Sequence, residues 1–179
     1  GLRPVPVDCK AETLNVMSSE LERVIEREKP RGMFLTNALG FCGDLPAIRE
    51  LCRAKNVILL EDNCESLGTE LPAGRTGSFG LMSSFSFYIA HHMSTIEGGV
   101  ACVDDPELEE MLRIVRANGW DRNLTPAQQA RLRKTHGVVD EFHSKYTFYD
   151  LGYNLRPSEI TGFLGLEQLK HLGEAVAAR

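Results

Sequence analysis

Val57-Ile58-Leu59-Leu60-Glu61-Asp62 is the stretch whose reading decides the fold. Four consecutive apolar residues of strand length, with two β-branched members, are the pattern of a parallel strand covered on both faces. The run ends on two acids. Ligands of parallel sheets bind at the carboxyl ends of the strands, so Asp62 stands where a ligand is expected. A plainer reading has Asp62 capping a following helix.

Working outward, helices alternate with strands. Upstream, Asp44 is placed to cap a helix carrying Leu45, Ile48, Leu51 and Cys52 on one side, with Asn56 ending it. Met33–Thr36 reads as a strand. Ser19, with Glu22 three residues on, forms a capping-box signal for a helix presenting Leu21, Val24 and Ile25. Pro4–Val7 reads as a short edge strand, because proline cannot donate to a ladder. Downstream, Phe79–Tyr88 and Gly99–Val103 read as strands. Asp105-Pro106 and Thr125-Pro126-Ala127-Gln128 open two helices, and a last helix begins near Pro157. The fold class is α/β with a mostly parallel sheet flanked by helices. No repeat or linker divides residues 1–179, which read as a single domain. A start at Gly1 and a stop at Arg179 inside a helical pattern suggest a piece of a longer protein.

Composition narrows the partners. Apolar residues make up 42% and charged residues 25%, enough for a real core. The net charge is −5 and no basic stripe occurs, so nucleic acid is a poor partner. No apolar run approaches the ~20 residues that span a bilayer, so no membrane partner is expected. The five cysteines (Cys9, Cys42, Cys52, Cys64 and Cys102) are odd in number and widely spaced. They suggest neither a disulfide framework nor a zinc site, and they suit a reducing cytoplasm.

The chemistry concentrates in Ser84-Phe85-Ser86-Phe87-Tyr88-Ile89-Ala90-His91-His92-Met93-Ser94-Thr95-Ile96-Glu97-Gly98-Gly99. Adjacent histidines on an extended segment point to opposite sides, so one metal ion would rarely take both His91 and His92. No third ligand is evident, and no metal is expected. One histidine facing a pocket, with its neighbour packed, fits better.

The ordered set Glu61-Asp62, Gly77-Ser78-Phe79-Gly80, Phe85-Ser86-Phe87, Glu97-Gly98-Gly99 and Gly152-Tyr153-Asn154-Leu155-Arg156 resembles the DegT/DnrJ/EryC1/StrS family. These are the sugar aminotransferases among fold-type-I pyridoxal-phosphate enzymes. The resemblance runs from Val7-Asp8 to Leu166–Leu169. It implies a mostly parallel sheet between helices, and a homodimer with active sites at the subunit interface. Residues 1–179 would be part of the large cofactor-binding domain. A further phosphate-binding segment before Gly1 and a small domain after Arg179 would lie outside it.

The resemblance also implies roles. Asp62 would keep the cofactor's pyridine nitrogen protonated. Glu65 stands where the family usually has glutamine near the ring hydroxyl. Ser86 would bind the cofactor phosphate, and Asn154 would reach the phosphate in the partner subunit's site. Arg156 is left open between pairing with an acid and capping its helix. Arg75 and Trp120 are open as substrate neighbours.

The departure is at position 91. Transaminating relatives carry a lysine six residues before the glutamate of Glu-Gly-Gly, and it holds the cofactor covalently. Here that position is His91, and no lysine lies between Lys55 and Lys134. A smaller branch of the family shares this replacement and resembles the chain further, with His-His-Met-Ser-Thr-Ile-Glu-Gly-Gly and Gly-Trp-Asp-Arg-Asn. Its members are dehydrases acting at C3 of nucleotide-linked 4-keto-6-deoxyhexoses. One type carries an iron–sulfur cluster on closely spaced cysteines. The other, acting on GDP-sugars, carries none. Only Cys102 follows His91, so the chain is similar to the cluster-free type.

Pyridoxal phosphate and pyridoxamine phosphate are therefore the implied cofactors. A nucleotide-sugar is the implied substrate, with glutamate as an amino donor. His91 would be the acid–base residue, since imidazole titrates near neutrality. Two alternatives remain at this point: a sugar aminotransferase using another lysine or amine, and a catalytically inactive binding subunit.

Overall fold

The computed structural model describes residues 1–178. They form two compact units, one built from Gly1–Cys102 with the stretch from Glu159 onward, the other from Val103–Ser158.

The first unit is organised on a four-stranded sheet. Its strands are β1 (Gly32–Thr36), β2 (Ile58–Asp62), β5 (Met82–Ser86) and β6 (Gly99–Val103), in the order β1-β2-β5-β6. β1, β2 and β5 are parallel, with Thr36 opposite Asp62 and Asp62 opposite Ser84. A small antiparallel pair, β3 (Glu70–Leu71) and β4 (Gly74–Arg75), fills the connection between β2 and β5.

Helices α1 (Ser18–Glu28) and α2 (Leu45–Ala54) supply one wall of the core. Leu21, Ile25, Leu45, Ile48 and Cys52 pack there with Met33, Leu35, Val57, Leu59 and Phe79. Alternate residues point to opposite faces of a strand. Met33, Leu35 and Leu59 therefore meet the helices, while Phe34 and Ile58 on the other face stay exposed. Burial of the Val57–Leu60 run on both faces is thus not what the chain shows. Both helices that build the core lie against one face only.

The polar caps differ from expectation. α1 starts at Ser18, and its N-cap residue Met17 offers no side-chain bond, so the Ser19/Glu22 capping box does not form. Asp44 does the work from a distance. Its Oδ1 accepts the Ser18 N–H at 2.7 Å and its Oδ2 the Ser18 hydroxyl at 2.5 Å. Asp44 occupies the N-cap position of α2 but makes no side-chain bond to α2 itself. One carboxylate thus ties the two core helices at their N-termini, and a cap of this kind contributes about 1 kcal/mol. The Pro4–Val7 edge strand is also absent, since no ladder includes those residues. Asn56 does end α2, in the left-handed conformation (φ 56°) that asparagine tolerates. Helices α6 (Glu159–Leu169) and α7 (Leu172–Ala177) complete this unit.

The second unit holds α3 (Pro106–Val115), α4 (Pro126–Thr135) and α5 (Glu141–Tyr146). Asp105 caps α3 through the Glu107 and Leu108 N–H groups, and Thr125 with Gln128 forms a full capping box on α4. Its polar centre is Asp121, 1% exposed, which accepts from Arg133 Nε at 2.7 Å.

Candidate active site

Asp62 is the last residue of β2 and Ser86 the last of β5. Register places Asp62 opposite Ser84, and the Ser84 hydroxyl reaches Asp62 Oδ1 at 3.4 Å. Ser86 is two residues on, so it shares the Asp62 face of the sheet. This is the face left bare of α1 and α2.

No helix follows Asp62 directly, so it is not a helix cap. Its Oδ1 accepts the Cys64 N–H at 3.1 Å, closing a local turn. No lysine or arginine pairs with it among the described residues. Beside it, burial first and the Asp62 carboxylate second push the Cys64 thiol up to about 11. Cys64 therefore stays neutral near neutral pH.

Ser86 Oγ accepts the Tyr88 N–H at 3.1 Å. With its oxygen used as acceptor by the backbone, its own proton is available to a ligand. Past β5 the chain forms the loop that carries His91. The His91 N–H donates to the Tyr88 carbonyl at 3.0 Å, Thr95 N–H to the Phe87 carbonyl at 2.8 Å, and Phe87 N–H to the Gly98 carbonyl at 2.9 Å. The His91 ring stands edge-on to Tyr88, centroids 5.9 Å apart. Its Nδ1 is buried and finds no partner. Ile96 in the same loop holds φ at 72°, a conformation a β-branched residue rarely adopts. Such strain is kept only where the surroundings enforce it, often at functional sites.

Glu65 has a partner of its own. Its Oε2 accepts the Leu39 N–H at 2.7 Å, in the turn after β1. Leu39 is in the left-handed region (φ 56°), and Glu65 holds that turn against the end of β2. Its other oxygen, Oε1, is left to accept a hydrogen bond from a cofactor hydroxyl.

Asn154 belongs to the second unit and is exposed there. It bridges to Ala117, and its Oδ1 accepts Arg156 Nε at 3.0 Å. Among the described residues Arg156 thus neither pairs with an acid nor starts α6. It orients the Asn154 amide with its NH2 turned away from the guanidinium. Arg75 pairs with Glu70 at 2.6 Å. Trp120 has the Arg122 guanidinium 3.8 Å from its ring centroid and Phe148 stacked with it at 5.1 Å. Among the described residues no group of three or more His, Cys, Asp or Glu is placed to hold a metal ion.

Glu61 is the residue that sequence reasoning passed over. It is fully buried, on the opposite face of β2 from Asp62. Its carboxylate accepts three backbone N–H groups, from Gly77 at 2.8 Å, Phe79 at 2.8 Å and Gly80 at 2.7 Å. The pairing of a strand-end Glu-Asp with a downstream Gly-x-x-Gly was the available signal.

The chain is 38% identical to the GDP-4-keto-6-deoxy-D-mannose 3-dehydratase of Yersinia pseudotuberculosis over 179 residues, all of this chain and 44% of that protein. The solved Escherichia coli GDP-4-keto-6-deoxy-D-mannose-3-dehydratase with bound hydrated PLP superposes with a TM-score of 0.81. It is 37% identical, over 93% of this chain and 42% of that one. A Helicobacter pylori aminotransferase involved in the biosynthesis of pseudoaminic acid gives a TM-score of 0.79 at 27% identity, over 96% of this chain and 41% of that one. The chain spans less than half the length of these relatives. A family model described as the DegT/DnrJ/EryC1/StrS aminotransferase family matches residues 1–179. With the strand-end acid, the serine two register steps along, and the loop between them and Glu97-Gly98-Gly99, the chain belongs to the DegT/DnrJ/EryC1/StrS aminotransferase family.

Proposed function

We propose that the protein containing this chain is a pyridoxal/pyridoxamine-phosphate-dependent 3-dehydratase of a nucleotide-linked 4-keto-6-deoxy sugar. The observation that carries this is His91, standing where transaminating relatives hold the cofactor covalently, in a site that otherwise keeps Asp62 and Ser86. Similarity to two GDP-4-keto-6-deoxy-D-mannose 3-dehydratases supports the same reading.

The residues present suit the cofactor. Asp62 is a carboxylate without an ion-pair partner at a strand end, fit for a protonated ring nitrogen. The Ser86 hydroxyl proton and the outward NH2 of Asn154 are donors fit for a phosphate. The orphaned His91 Nδ1 lies in a loop that leaves a polar group waiting for a neighbour. When bound, the cofactor supplies an electron sink. Asp62 would keep the proton on the cofactor's pyridine nitrogen. Ser86 and, from the partner subunit, Asn154 would hold its phosphate. Glu65 fixes the turn after β1. His91 would be the acid–base group, giving a proton to the C3 oxygen as that oxygen leaves the sugar. No lysine lies between Lys55 and Lys134 to hold the cofactor at the usual place, which favours loss of the C3 oxygen over transfer of the amine. Glutamate is the amino donor that recharges the site.

Incubation of the protein with pyridoxal phosphate, glutamate and a panel of 4-keto-6-deoxy nucleotide sugars tests this. Mass spectrometry is expected to show loss of the C3 oxygen from one member. A product carrying a new amine would reverse the reading in favour of transamination.

The working form is a homodimer in the cytoplasm. Tyr153 and Leu155, which flank Asn154, are 66% and 67% exposed, and Ile160, Phe163 and Leu166 are similarly bare. Apolar surface on this scale normally meets a partner, and a second copy would carry Asn154 to the neighbouring site. Among the described residues no helix is long and apolar enough to cross a membrane, and free thiols suit a reducing compartment. Sedimentation of the protein is expected to give a dimer. A strict monomer with full cofactor affinity would remove Asn154 from the phosphate.

A further inference from the structure

We infer that Glu61 is a positioning residue that sets the register between Asp62 and Ser86, and with it the span that the cofactor must bridge. The inference rests on the proposed cofactor reading. β2 and β5 carry the two ends of that span, yet they pair over only three residues, Leu60 with Met82, Glu61 with Ser83 and Asp62 with Ser84. A slip of one residue would turn Ser84 and Ser86 to the opposite face. Backbone bonds from Leu81 N–H to the Leu59 carbonyl at 2.7 Å and from Asn63 N–H to the Ser84 carbonyl at 2.8 Å close either end of it, and the Glu61 carboxylate adds a side-chain restraint at the entry to β5.

The geometry of the loop is built around that carboxylate. Gly77, Phe79 and Gly80 aim three N–H groups at it, an anion nest filled from within the chain. The two glycines make the approach possible. A Cβ on Gly77, which holds φ at +93°, would lie 2.7 Å from Phe85 Cζ. A Cβ on Gly80 would lie 2.8 Å from the Leu59 carbonyl oxygen. Leu81 N–H then donates to that same carbonyl at 2.7 Å, and β5 begins. The loop is clamped to β2 immediately before the strand that delivers Ser84, Ser86 and the His91 loop. Glu61 and Asp62 are consecutive, so one faces the clamp while the other faces the ligand. The motif Gly77-Ser78-Phe79-Gly80 is thereby explained without a phosphate of its own.

The test compares Glu61→Gln with Ile48→Val, a core variant on the helix side of the sheet. Glutamine places an NH2 against at least one N–H donor, so the nest repels where it attracted. Both variants lower the melting temperature. Pyridoxal phosphate is titrated well below either melting temperature, followed by absorbance and by circular dichroism of the bound cofactor. Glu61→Gln is expected to weaken cofactor binding about tenfold or more, since a charge-assisted bond is replaced by repulsion, and to alter the dichroic band. Ile48→Val is expected to leave both unchanged. Where Glu61→Gln does not fold, Glu61→Asp, which withdraws the carboxylate by one methylene, takes its place with the same expectation. Native affinity and band shape in a folded Glu61 variant overturn the register role. Absence of pyridoxal phosphate binding to the unaltered protein overturns instead the cofactor reading beneath it.

Discussion

Replacing His91 by asparagine is expected to lower dehydration by about 10²–10⁴-fold, the usual contribution of a positioned general acid–base group, while leaving pyridoxamine phosphate bound. The two effects separate because the residues proposed to hold the cofactor lie elsewhere. Asp62 and Ser86 end β2 and β5, and Asn154 is proposed to come from the partner subunit. His91 enters through the following loop, whose shape depends on backbone bonds from His91, Phe87 and Thr95 that asparagine would preserve. Single-turnover rates and equilibrium dialysis read the two quantities independently. His91→Lys is the complementary variant. It restores the residue type that relatives use for a covalent link, so borohydride should trap cofactor on the protein, with a new absorption band. The outcome should shift from loss of the C3 oxygen towards amine transfer. Dehydration at the native rate in His91→Asn would reduce the histidine to packing.

The parts of the fold that were legible share a cause, which is that their signals are local. Asp105-Pro106 and Thr125 with Gln128 cap the helices that follow them, because a cap is decided within four residues. The strand ending at Asp62 was legible from four apolar residues in a row. Where a polar group acts across space, sequence spacing misleads. Asp44 stands at the N-cap of α2 and spends its carboxylate on Ser18, 26 residues earlier. Glu61 looked like one half of an acidic pair, but its partners lie in a loop 16 to 19 residues on. Glu65, matched to a cofactor contact by resemblance, also holds the Leu39 turn through a bond across 26 residues. The exposed face bearing Phe34 and Ile58 was unreadable for another reason. An apolar run records that a strand is to be covered, not which segment covers it.

Substituting Asp62 by asparagine is expected to retain the fold and cofactor binding while slowing turnover by about 10–100-fold. A charge-assisted hydrogen bond contributes roughly 1.5–3 kcal/mol, and each ~1.4 kcal/mol is tenfold in rate. Retention of fold follows from which atom does the structural work. Asp62 Oδ1 accepts from Cys64 N–H and the Ser84 hydroxyl, and an asparagine oxygen can take the same two bonds. What disappears is the negative charge that keeps a proton on the ring nitrogen. The Cys64 thiol offers a readout independent of turnover. Burial and then Asp62 raise it to about 11 from an ordinary 9.0. A thiol raised in the folded state keeps its proton where the unfolded chain has lost it. Its contribution to stability is therefore full below about 9 and is lost as pH rises through about 11. Without the Asp62 charge burial and Glu65 still raise the thiol but by less in total, so the Cys64 titration should move down, and the alkaline loss of stability linked to this thiol should become smaller. Thiol absorbance against pH in the two proteins measures this directly. A titration that shifts while turnover stays native would show that the charge was removed and was never needed, and would take Asp62 out of the mechanism.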